Sequence, residues 1–156
     1  MPESAAESIR PAKPEDARVV QALVRSSYAK WVAVIGREPL PMAADYDQAV
    51  RDHEIDLVEA NGELLGLIEL IRNPDHLFIE NVAVAPAHQG RGIGCRLLTH
   101  AERRARDYAV AEIRLATNSA FESNVRLYQS IGYRIDRTEP FMGGAAVYMS
   151  KGIGSR

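Results

Sequence analysis

A cluster of glycines, Gln89-Gly90-Arg91-Gly92-Ile93-Gly94, has the spacing that most clearly suggests chemistry. It lies between an apolar segment typical of a buried strand and a segment with the periodicity of an amphipathic helix. Glycines let successive backbone N–H groups turn toward one point, and the start of the following helix adds partial positive charge. This combination predicts a binding site for a pyrophosphate, to which Arg91 adds a cationic side chain.

Two familiar phosphate-binding motifs do not fit this cluster. A dinucleotide fingerprint that starts at Gly90 requires its last glycine where the chain has Cys95. A nucleotide P-loop requires Lys and Ser or Thr after its final glycine, but Cys95 and Arg96 follow Gly94. A glycine-rich strand-to-helix connection without any ligand is the alternative that the spacing alone leaves open.

Hydrophobic patterning predicts the elements that must position this loop. The predicted strands are Ser8 to Ala12, Ile55 to Glu59, Leu64 to Ile71, His76 to Val84, Glu112 to Thr117, Tyr133 to Thr138 and Ala145 to Lys151. The predicted helices run from Pro14 to Ile35, Tyr46 to His53, Ile93 to Tyr108 and Asn124 to Ile131. The order β-α-α-β-β-β-α-β-α-β-β predicts an α/β (α+β) fold, with a mixed, mostly antiparallel central sheet flanked by helices.

Length and charge restrict the class of protein further. The chain has 156 residues, which suits a single domain over 1–156, with loose ends at 1–7 and 152–156. Its net charge of −2 disfavours nucleic acid and acidic membranes as partners. The single cysteine, the absence of a secretory signal and the lack of a long apolar run predict a cytoplasmic protein.

Two longer motifs resemble those of the GNAT superfamily of acetyl-CoA-dependent N-acetyltransferases. The stretch from Glu80 to Gly94 is similar to its motif A, whose signature falls on Gln89, Gly92 and Gly94. The stretch from Asn124 to Tyr133 is similar to motif B, although Tyr133 stands where the family shows phenylalanine. The order of the elements from Ile9 to Lys151 also matches, so the resemblance covers nearly the whole chain.

The resemblance implies a binding site for acetyl-CoA or another acyl-CoA between splayed central strands. Backbone groups of Val82 and Val84, with Ala83 between them, would pair with the pantetheine arm like an added strand. The residues that would wrap the pyrophosphate are Gln89, Gly90, Arg91, Gly92, Ile93, Gly94 and Cys95. Asn118 and Asn124 match positions near the thioester end of the cofactor.

Tyr128 is the predicted general acid. Asn124 and Tyr128 are four residues apart, so on a helix they share one face and can address the same ligand. A tyrosine hydroxyl can donate a proton to the departing CoA thiolate. Without the motif, a core aromatic residue that packs its helix on the sheet would be the better interpretation of Tyr128.

A base must deprotonate the acceptor amine, which is mostly protonated at neutral pH. Glu80, on the predicted central strand, resembles the glutamate that many family members use, often through water. The alternative for Glu80 is a strand-end carboxylate that meets solvent or an arginine. His76 and Glu69 are weaker candidates for the base, and the main-chain N–H of Val82 is the predicted donor to the developing oxyanion.

Two further residue types are assigned no catalytic chemistry. Cys95 lies in the first turn of a predicted helix, where we expect it to be small buried filler. The four histidines lack metal-ligand spacing with one another or with Cys95, so we expect no metal site. They are His53, His76, His88 and His100.

The resemblance assigns the acceptor pocket to the first two helices and the loop before the last strand. The candidate residues are Tyr28, Trp31, Arg37, Glu38, Pro39, Tyr46, Phe141 and Met142. For each of them, an ordinary core or loop-surface position is the alternative. They suit a small amine that carries a carboxylate, or a peptide N-terminus. The sequence therefore predicts acetylation of a small-molecule primary amine, in which the amine attacks directly in a ternary complex. Acetylation of a protein or peptide and a non-catalytic acyl-CoA-binding module are the alternatives, and the family's dimers suggest a homodimer.

Overall fold

A computed structural model describes residues 6–154 of the chain, and in this range seven strands form one sheet. The strands are β1 (Ser8–Pro11), β2 (Glu54–Ala60), β3 (Glu63–Arg72), β4 (His76–Val84), β5 (Glu112–Asn118), β6 (Arg134–Phe141) and β7 (Gly144–Gly152). Their order across the sheet is β1-β2-β3-β4-β5-β7-β6. Strands β4 and β5 pair in parallel and all other neighbours pair antiparallel. The predicted fold class is confirmed.

Within the same range, four α-helices flank this sheet. They are α1 (Ala17–Ile35), α2 (Tyr46–Asp52), α3 (Ile93–Asp107) and α4 (Glu122–Ser130). Proline and two acidic residues form a 3₁₀ turn (Pro14–Asp16) directly before α1. Gly36 ends α1 with a φ of 74°, a left-handed conformation that glycine adopts without a Cβ penalty. Asp45 caps α2, where its side chain accepts a hydrogen bond from the backbone N–H of Gln48.

The elements near the C-terminus differ in length from the prediction. Helix α4 begins at Glu122, two residues before the predicted start at Asn124. Strand β6 begins at Arg134 and continues to Phe141, although the prediction ended it at Thr138. All its residues are exposed at the edge of the sheet, which explains why its sequence has no alternating apolar pattern. Pro140 is tolerated there because a backbone N–H on the outer side of an edge strand has no partner strand to bond.

The predicted loose ends also differ from the structure where it describes them. Glu7 forms an ion pair with Arg96 of α3, and Gly152 is the last residue of β7, opposite Glu112 of β5. The remaining parts of this prediction, 1–5 and 155–156, lie outside the described residues. Within residues 6–154, no helix is long and apolar enough to cross a membrane.

Two apolar clusters hold the helices on opposite faces of the sheet. Helix α3 buries Leu97, Leu98 and Ala101 in a cluster with the sheet residues Ile68 and Leu115. On the other face, α1 and α2 form a second cluster, whose members include Val20, Val24, Ala49, Leu57 and Leu67. Fully burying a side chain such as leucine contributes roughly 1.5–3 kcal/mol, so these clusters fix the helices that carry the site.

An irregularity in β4 places Glu80 outside the regular register. Asn81 lies opposite Glu69 of β3, but Ile79 lies opposite Leu70, so Glu80 is an extra residue without a partner. This arrangement is a β-bulge, which bends a strand and redirects side chains. Glu80 is exposed between two buried neighbours.

Strands β4 and β5 diverge directly after this point. Their pairing covers His76–Ile79 against Glu112–Leu115 and then stops, although β4 continues to Val84. Beyond the divergence β5 stays paired with β7, up to Asn118 opposite Ala146. A wedge-shaped opening therefore lies between the C-terminal halves of two central strands.

Candidate active site

The backbone of β4 presents hydrogen-bonding groups to the wedge. Ala85 donates its N–H to the carbonyl oxygen of Leu65 in β3, at 2.8 Å. In an antiparallel ladder, residues bonded to the partner strand alternate with residues whose N–H and C=O groups point the other way. Because Ala85 is bonded to β3, this alternation makes the backbone groups of Val84 and Val82 point away from β3 and into the wedge.

The glycine loop closes the end of the wedge. Gly90 and Gly92 have φ angles of 81° and 83°, and α3 begins at the next residue, Ile93. No atom lies within 4 Å of a Cβ built on either glycine, so the space beside the loop is open. Positive φ at both positions and a helix start behind them create the N–H-rich concavity that binds anions.

Two polar side chains fix this loop to its surroundings. Gln89 donates its amide N–H to the carbonyl oxygen of Val84 at 3.1 Å, which ties the loop to the end of β4. The ammonium group of Lys30, on α1, donates to the amide oxygen of Gln89 at 3.0 Å. Lys30 also lies 5.1 Å from the ring centroid of Trp31. Sequence reasoning missed Lys30, because nothing in its own segment links it to a loop almost 60 residues later.

These elements form a cavity of about 460 Å³ that we call the wedge groove. Its lining residues are Ser27, Tyr28, Lys30, Trp31, Val82, Val84, His88, Gln89, Gly90, Gly92, Ile93, Gly94, Cys95, Leu98, Ser123, Asn124, Leu127 and Tyr128. This lining, drawn from residues 6–154, includes a lysine and no aspartate or glutamate. The groove therefore suits an anionic ligand, although the whole chain has a net charge of −2.

Three of the predicted cofactor residues lie outside this lining. The side chain of Ala83 is buried on the opposite face of β4, in the cluster with α1 and α2. Arg91 is exposed at the tip of the loop. Asn118 lines a neighbouring pocket instead, and its side-chain oxygen accepts a hydrogen bond from the N–H of Ala120 at 2.9 Å. The structure brings the other predicted positions together around the groove.

Cys95 is not buried filler, so that prediction is wrong. Its side chain is exposed and lines the wedge groove. Ile93 and Leu97 point into the core, and a residue halfway between them is rotated by about 200° from Ile93 at 3.6 residues per turn. Helical geometry therefore turns Cys95 away from the sheet.

A second cavity of about 250 Å³ adjoins the wedge groove on the other side of Tyr128. We call it the aromatic pocket, and its lining residues are Tyr28, Ile35, Arg37, Pro39, Leu40, Pro41, Ile79, Glu80, Asn81, Val82, Leu115, Ala116, Thr117, Asn118, Phe121, Asn124, Tyr128, Phe141, Ala146 and Tyr148. The two cavities share Tyr28, Val82, Asn124 and Tyr128. These four residues therefore mark the place where a ligand in one cavity meets a ligand in the other.

Tyr128 is buried at this junction, with an exposed fraction of 9%. Its ring lies 5.8 Å from that of Tyr133 in a tilted arrangement. Burial raises the pKa of the Tyr128 hydroxyl to about 12, because the phenolate loses its hydration. The hydroxyl thus carries its proton throughout the neutral range.

A hydrogen-bond network holds the wall of the aromatic pocket, and sequence reasoning missed its centre, Asn81. The hydroxyl of Tyr28 donates to the side-chain oxygen of Asn81 at 2.6 Å, and the Asn81 amide donates to the hydroxyl of Tyr46 at 3.4 Å. Tyr46 in turn donates to the carbonyl oxygen of Pro41 at 2.6 Å. The sequence signal for its role was an asparagine at an inward-facing position of a strand whose other inward residues are apolar.

A third cavity, of about 380 Å³, lies beyond Glu80. Glu80 lines both this cavity and the aromatic pocket. Glu69 and His53 also line it, and the Glu69 carboxylate lies 2.6 Å from Nδ1 of His53. Burial raises the pKa of Glu69, and the nearby negative charge of Glu80 adds to this shift. Glu69 is therefore close to Glu80 but already paired.

The other residues that the sequence suggested for the site lie at separate places in the fold. His76 lies at the start of β4, bonded to Asp75 at 2.8 Å, and none of the three cavities is lined by it. Trp31 stacks on Phe121 with a centroid distance of 4.5 Å, which links α1 to the loop before α4. The carboxylate of Glu38 pairs with Arg25 at 2.9 Å. Met142 is exposed at the turn between β6 and β7.

Within residues 6–154, no three histidine, cysteine, aspartate or glutamate side chains are grouped so that they could hold a metal ion.

Comparison with known proteins places this arrangement in a family. The model of the acetyltransferase (GNAT) family matches residues 20–133. A search of curated proteins found no significant match. The chain therefore belongs to the acetyltransferase (GNAT) family, whose reaction is the transfer of an acetyl group.

Solved structures share the fold over almost the whole chain. The PaiA N-acetyltransferase of Thermoplasma acidophilum, in complex with coenzyme A, has 21% identity and a TM-score of 0.80, over 94% of this chain and 99% of its own. The ribosomal-protein-S18-alanine N-acetyltransferase of Escherichia coli has 18% identity and a TM-score of 0.75, over 97% and 96%. A GNAT family acetyltransferase of Elizabethkingia anophelis with acetyl-CoA bound has 20% identity and a TM-score of 0.67, over 94% and 97%.

Proposed function

We propose that this protein is an N-acetyltransferase that transfers the acetyl group of acetyl-CoA directly to a primary amine of a small molecule. The observation that carries the proposal is the junction of the two cavities. Tyr28, Val82, Asn124 and Tyr128 line both the wedge groove and the aromatic pocket. A donor in the groove and an acceptor in the pocket would meet there, in a ternary complex, without a covalent enzyme intermediate.

The residues of the wedge groove fit acetyl-CoA, which supplies the acetyl group as a thioester. Gly90 and Gly92 give the loop an open, positive-φ backbone suited to a pyrophosphate, and Lys30 adds a cation nearby. The backbone groups of Val82 and Val84 point into the wedge, where they can pair with an extended amide-bearing chain as a strand would. Gln89 holds the loop against the end of β4.

Proton transfers at the junction are assigned to two side chains. Glu80 is exposed on the β-bulge and lines the aromatic pocket, so it takes a proton from the acceptor ammonium group, directly or through water. Tyr128 keeps its proton at neutral pH and gives it to the departing thiolate. The main-chain N–H of Val82 points into the wedge and donates to the oxygen on which negative charge develops.

The size of the aromatic pocket favours a small acceptor over a protein. Its volume of about 250 Å³ is below the roughly 300–1,000 Å³ of typical pockets for drug-sized ligands. Side chains of α1, of the 37–41 loop and of β6 surround it. This volume holds a molecule the size of an amino acid, whereas a peptide would also need a surface for the chain that leads away from its acetylated residue.

Measurements of acetyl-CoA binding and of amine turnover test the proposal separately. Acetyl-CoA at 100 times its dissociation constant stabilises a folded protein by about 2.7 kcal/mol, which raises the melting temperature of a domain of this size by roughly 5–10 °C. Thiol release measured over a panel of primary amines should then show turnover with at least one of them. Mass spectrometry of the product should show one added acetyl group on nitrogen.

The outcomes separate the alternatives. No stabilisation by any CoA thioester would contradict the assignment of the wedge groove. Stabilisation without turnover on any amine or peptide would favour a non-catalytic binding module. Turnover on peptides or intact proteins, with none on small amines, would identify a protein N-acetyltransferase.

A further inference from the structure

The aromatic pocket pairs one acid with one cation among its described lining residues. The acid is Glu80, on the β-bulge where the pocket meets the third cavity, and the cation is Arg37, in the loop that follows α1. All other lining positions are apolar, aromatic or uncharged. A ligand that fills this pocket therefore meets a carboxylate and a guanidinium group at once.

Arg37 is held in place without a carboxylate partner among residues 6–154. Its guanidinium group lies 5.8 Å from the ring centroid of Phe141 and donates one hydrogen bond, of 3.3 Å, to the carbonyl oxygen of Glu38. The nearest acid in sequence, the carboxylate of Glu38, is engaged by Arg25 at 2.9 Å. The side chain is half-buried. Its remaining N–H donors are free for a ligand.

A partly buried guanidinium group without an anion favours an acidic ligand. The planar fork of an arginine matches the two oxygens of a carboxylate and binds them in parallel hydrogen bonds. The cation–π contact with Phe141 and the hydrogen bond to Glu38 favour one position of the side chain, so less entropy is lost when such a ligand binds. An acceptor with no anionic group would leave these donors unused.

Much of the rest of the lining favours an apolar body. Side chains of Ile35, Leu40, Ile79, Leu115 and Phe121 line the pocket, beside polar side chains that can hydrogen-bond the ligand. A highly charged acceptor such as a polyamine would lose hydration against these walls, and the described lining offers its ammonium groups one carboxylate, that of Glu80. The cavity, of about 250 Å³, restricts the body to the size of an amino acid side chain or a similar group.

We propose that the acceptor is an amine that carries both a carboxylate and an apolar body, as an apolar amino acid does, and that Arg37 binds its carboxylate. This inference rests on the proposed function and specifies its substrate class. The amine lies toward Glu80 and Tyr128, the apolar body fills the aromatic pocket, and the carboxylate pairs with Arg37.

Matched pairs of amines test the inference. Phenylalanine, leucine and their β-amino homologues, which vary the distance from amine to carboxylate, are each compared with the amine that lacks the carboxylate, such as 2-phenylethylamine or 3-methylbutylamine. The wild-type protein should prefer at least one carboxylated member by about tenfold or more in kcat/KM. Arg37→Ala should reduce kcat/KM for that member about 10- to 100-fold, mainly through KM, and leave the partner amine nearly unchanged.

Two further variants test whether the loss of kcat/KM is specific to the guanidinium group of Arg37. Arg37→Lys retains the charge without the planar fork and should recover part of the loss. Arg51→Ala removes an exposed arginine on α2 that lines none of the three cavities, and should behave as the wild type on both members of each pair. Binding of N-acetyl-phenylalanine in the presence of CoA, measured by calorimetry, should weaken by a similar factor in Arg37→Ala.

Each outcome supports or overturns the inference. Equal kcat/KM for carboxylated and plain amines, or an equal loss on both in Arg37→Ala, would overturn it while leaving the proposed function intact. If other primary amines give thiol release and the carboxylated ones do not, the inference alone fails; if acetyl-CoA binds and no primary amine at all is turned over, the proposed function fails and the inference fails with it.

Discussion

Tyr128 and Tyr133 have similar surroundings but different access to the groove. Tyr128 lines both cavities at their junction, whereas the Tyr133 hydroxyl is buried with no hydrogen-bond partner among residues 6–154. Burial raises the pKa of both, to about 12 for Tyr128. Both hydroxyls therefore hold their protons at neutral pH, but only that of Tyr128 can give one to a ligand at the junction.

This difference predicts opposite results for two tyrosine-to-phenylalanine variants. Tyr128→Phe should lower kcat by about 100-fold or more, because a positioned general acid contributes roughly 10²–10⁴ to the rate. The KM for acetyl-CoA should change little, since the ring remains. Because the pKa of Tyr128 is about 12, its ionisation should not reduce kcat of the wild type between pH 7 and 9.5. Steady-state thiol-release assays over this pH range provide the measurement.

Tyr133→Phe is the matched control for that variant. It removes a buried hydroxyl that has no partner in the described chain, so kcat should stay at the wild-type value and stability should be unchanged or slightly higher. Equal losses of kcat in the two variants would show that Tyr128 serves packing and not proton transfer.

At the scale of the elements, local patterns predicted most of the fold, because the strands and helices carry clear periodicity. The strands predicted at Ile55 to Glu59 and Leu64 to Ile71 and the helix predicted after Gly92 illustrate this, since apolar spacing acts within a few residues. Such local patterns could not predict contacts between segments that are distant in the sequence. The bond from Lys30 to Gln89 and the links of Asn81 to Tyr28 and Tyr46 depend on how α1 and α2 cross the sheet.

The β-bulge at Glu80 shows the same limit within one strand. A regular alternation does not reveal where a strand gains an unpaired residue, because the pairing depends on the neighbouring strand. The motif resemblance identified Glu80 as a candidate base, but only the register with β3 explains why its side chain is exposed between buried neighbours. The role of Glu80 as the base is still a prediction.

The packing of α3 against the sheet gives a prediction about an element. Gly66 of β3 lies beneath this helix, and a Cβ there would come within 3.0 Å of the Ala83 carbonyl oxygen and 3.1 Å of a side-chain carbon of Ile93. Gly66→Ala should therefore destabilise the protein by about 1–3 kcal/mol and displace the start of α3. Since the glycine loop ends at Ile93, acetyl-CoA binding should weaken more than acceptor binding. Urea unfolding and calorimetric titration measure the two effects.

Gly152→Ala is the matched control for this strand substitution. Gly152 lies at the end of β7, with no atom within 4 Å of a built Cβ, so stability should stay within about 0.5 kcal/mol of the wild type. If Gly66→Ala is as stable as Gly152→Ala, the close contact between β3 and α3 is not a constraint on the fold.

The net charge of the whole molecule does not show that its acidic and basic side chains line different cavities. The chain carries −2 overall, yet the described lining of the wedge groove contains no acid, while Glu69 and Glu80 line the cavity beyond the bulge. An anionic donor and a cationic amine group would therefore be drawn to different sides of the same junction. The low net charge disfavours nucleic acid as a partner, but it contains no information about a phosphate site built from backbone N–H groups.

A cluster of charges far from these cavities links the N-terminal strand to the rest of the molecule. Arg10 of β1 pairs with Asp16 at 2.8 Å and with Glu59 of β2 at 2.7 Å. Its hydrogen bonds, together with one from the N–H of Lys13, lower the pKa of Asp16 from 3.8 to about 2. A carboxyl group whose pKa is lower in the folded state stabilises the fold above its unfolded pKa and loses this contribution as pH falls toward the folded value.

Asp16→Asn should therefore reduce the free energy of unfolding by about 1 kcal/mol at pH 7, a value reduced by solvent screening at this partly exposed pair. The difference between wild type and variant should shrink below pH 4 and reach about half its neutral value by pH 3, since Asp16 is then mostly protonated in the unfolded wild-type chain but still mostly ionised in the folded one. Urea unfolding at pH 7, 5, 4 and 3 gives the profile. Glu15→Gln removes an exposed acid from the same turn and should show no such profile. A constant difference between wild type and Asp16→Asn from pH 7 to pH 3 would mean that the Arg10 pair does not hold β1 through its charge.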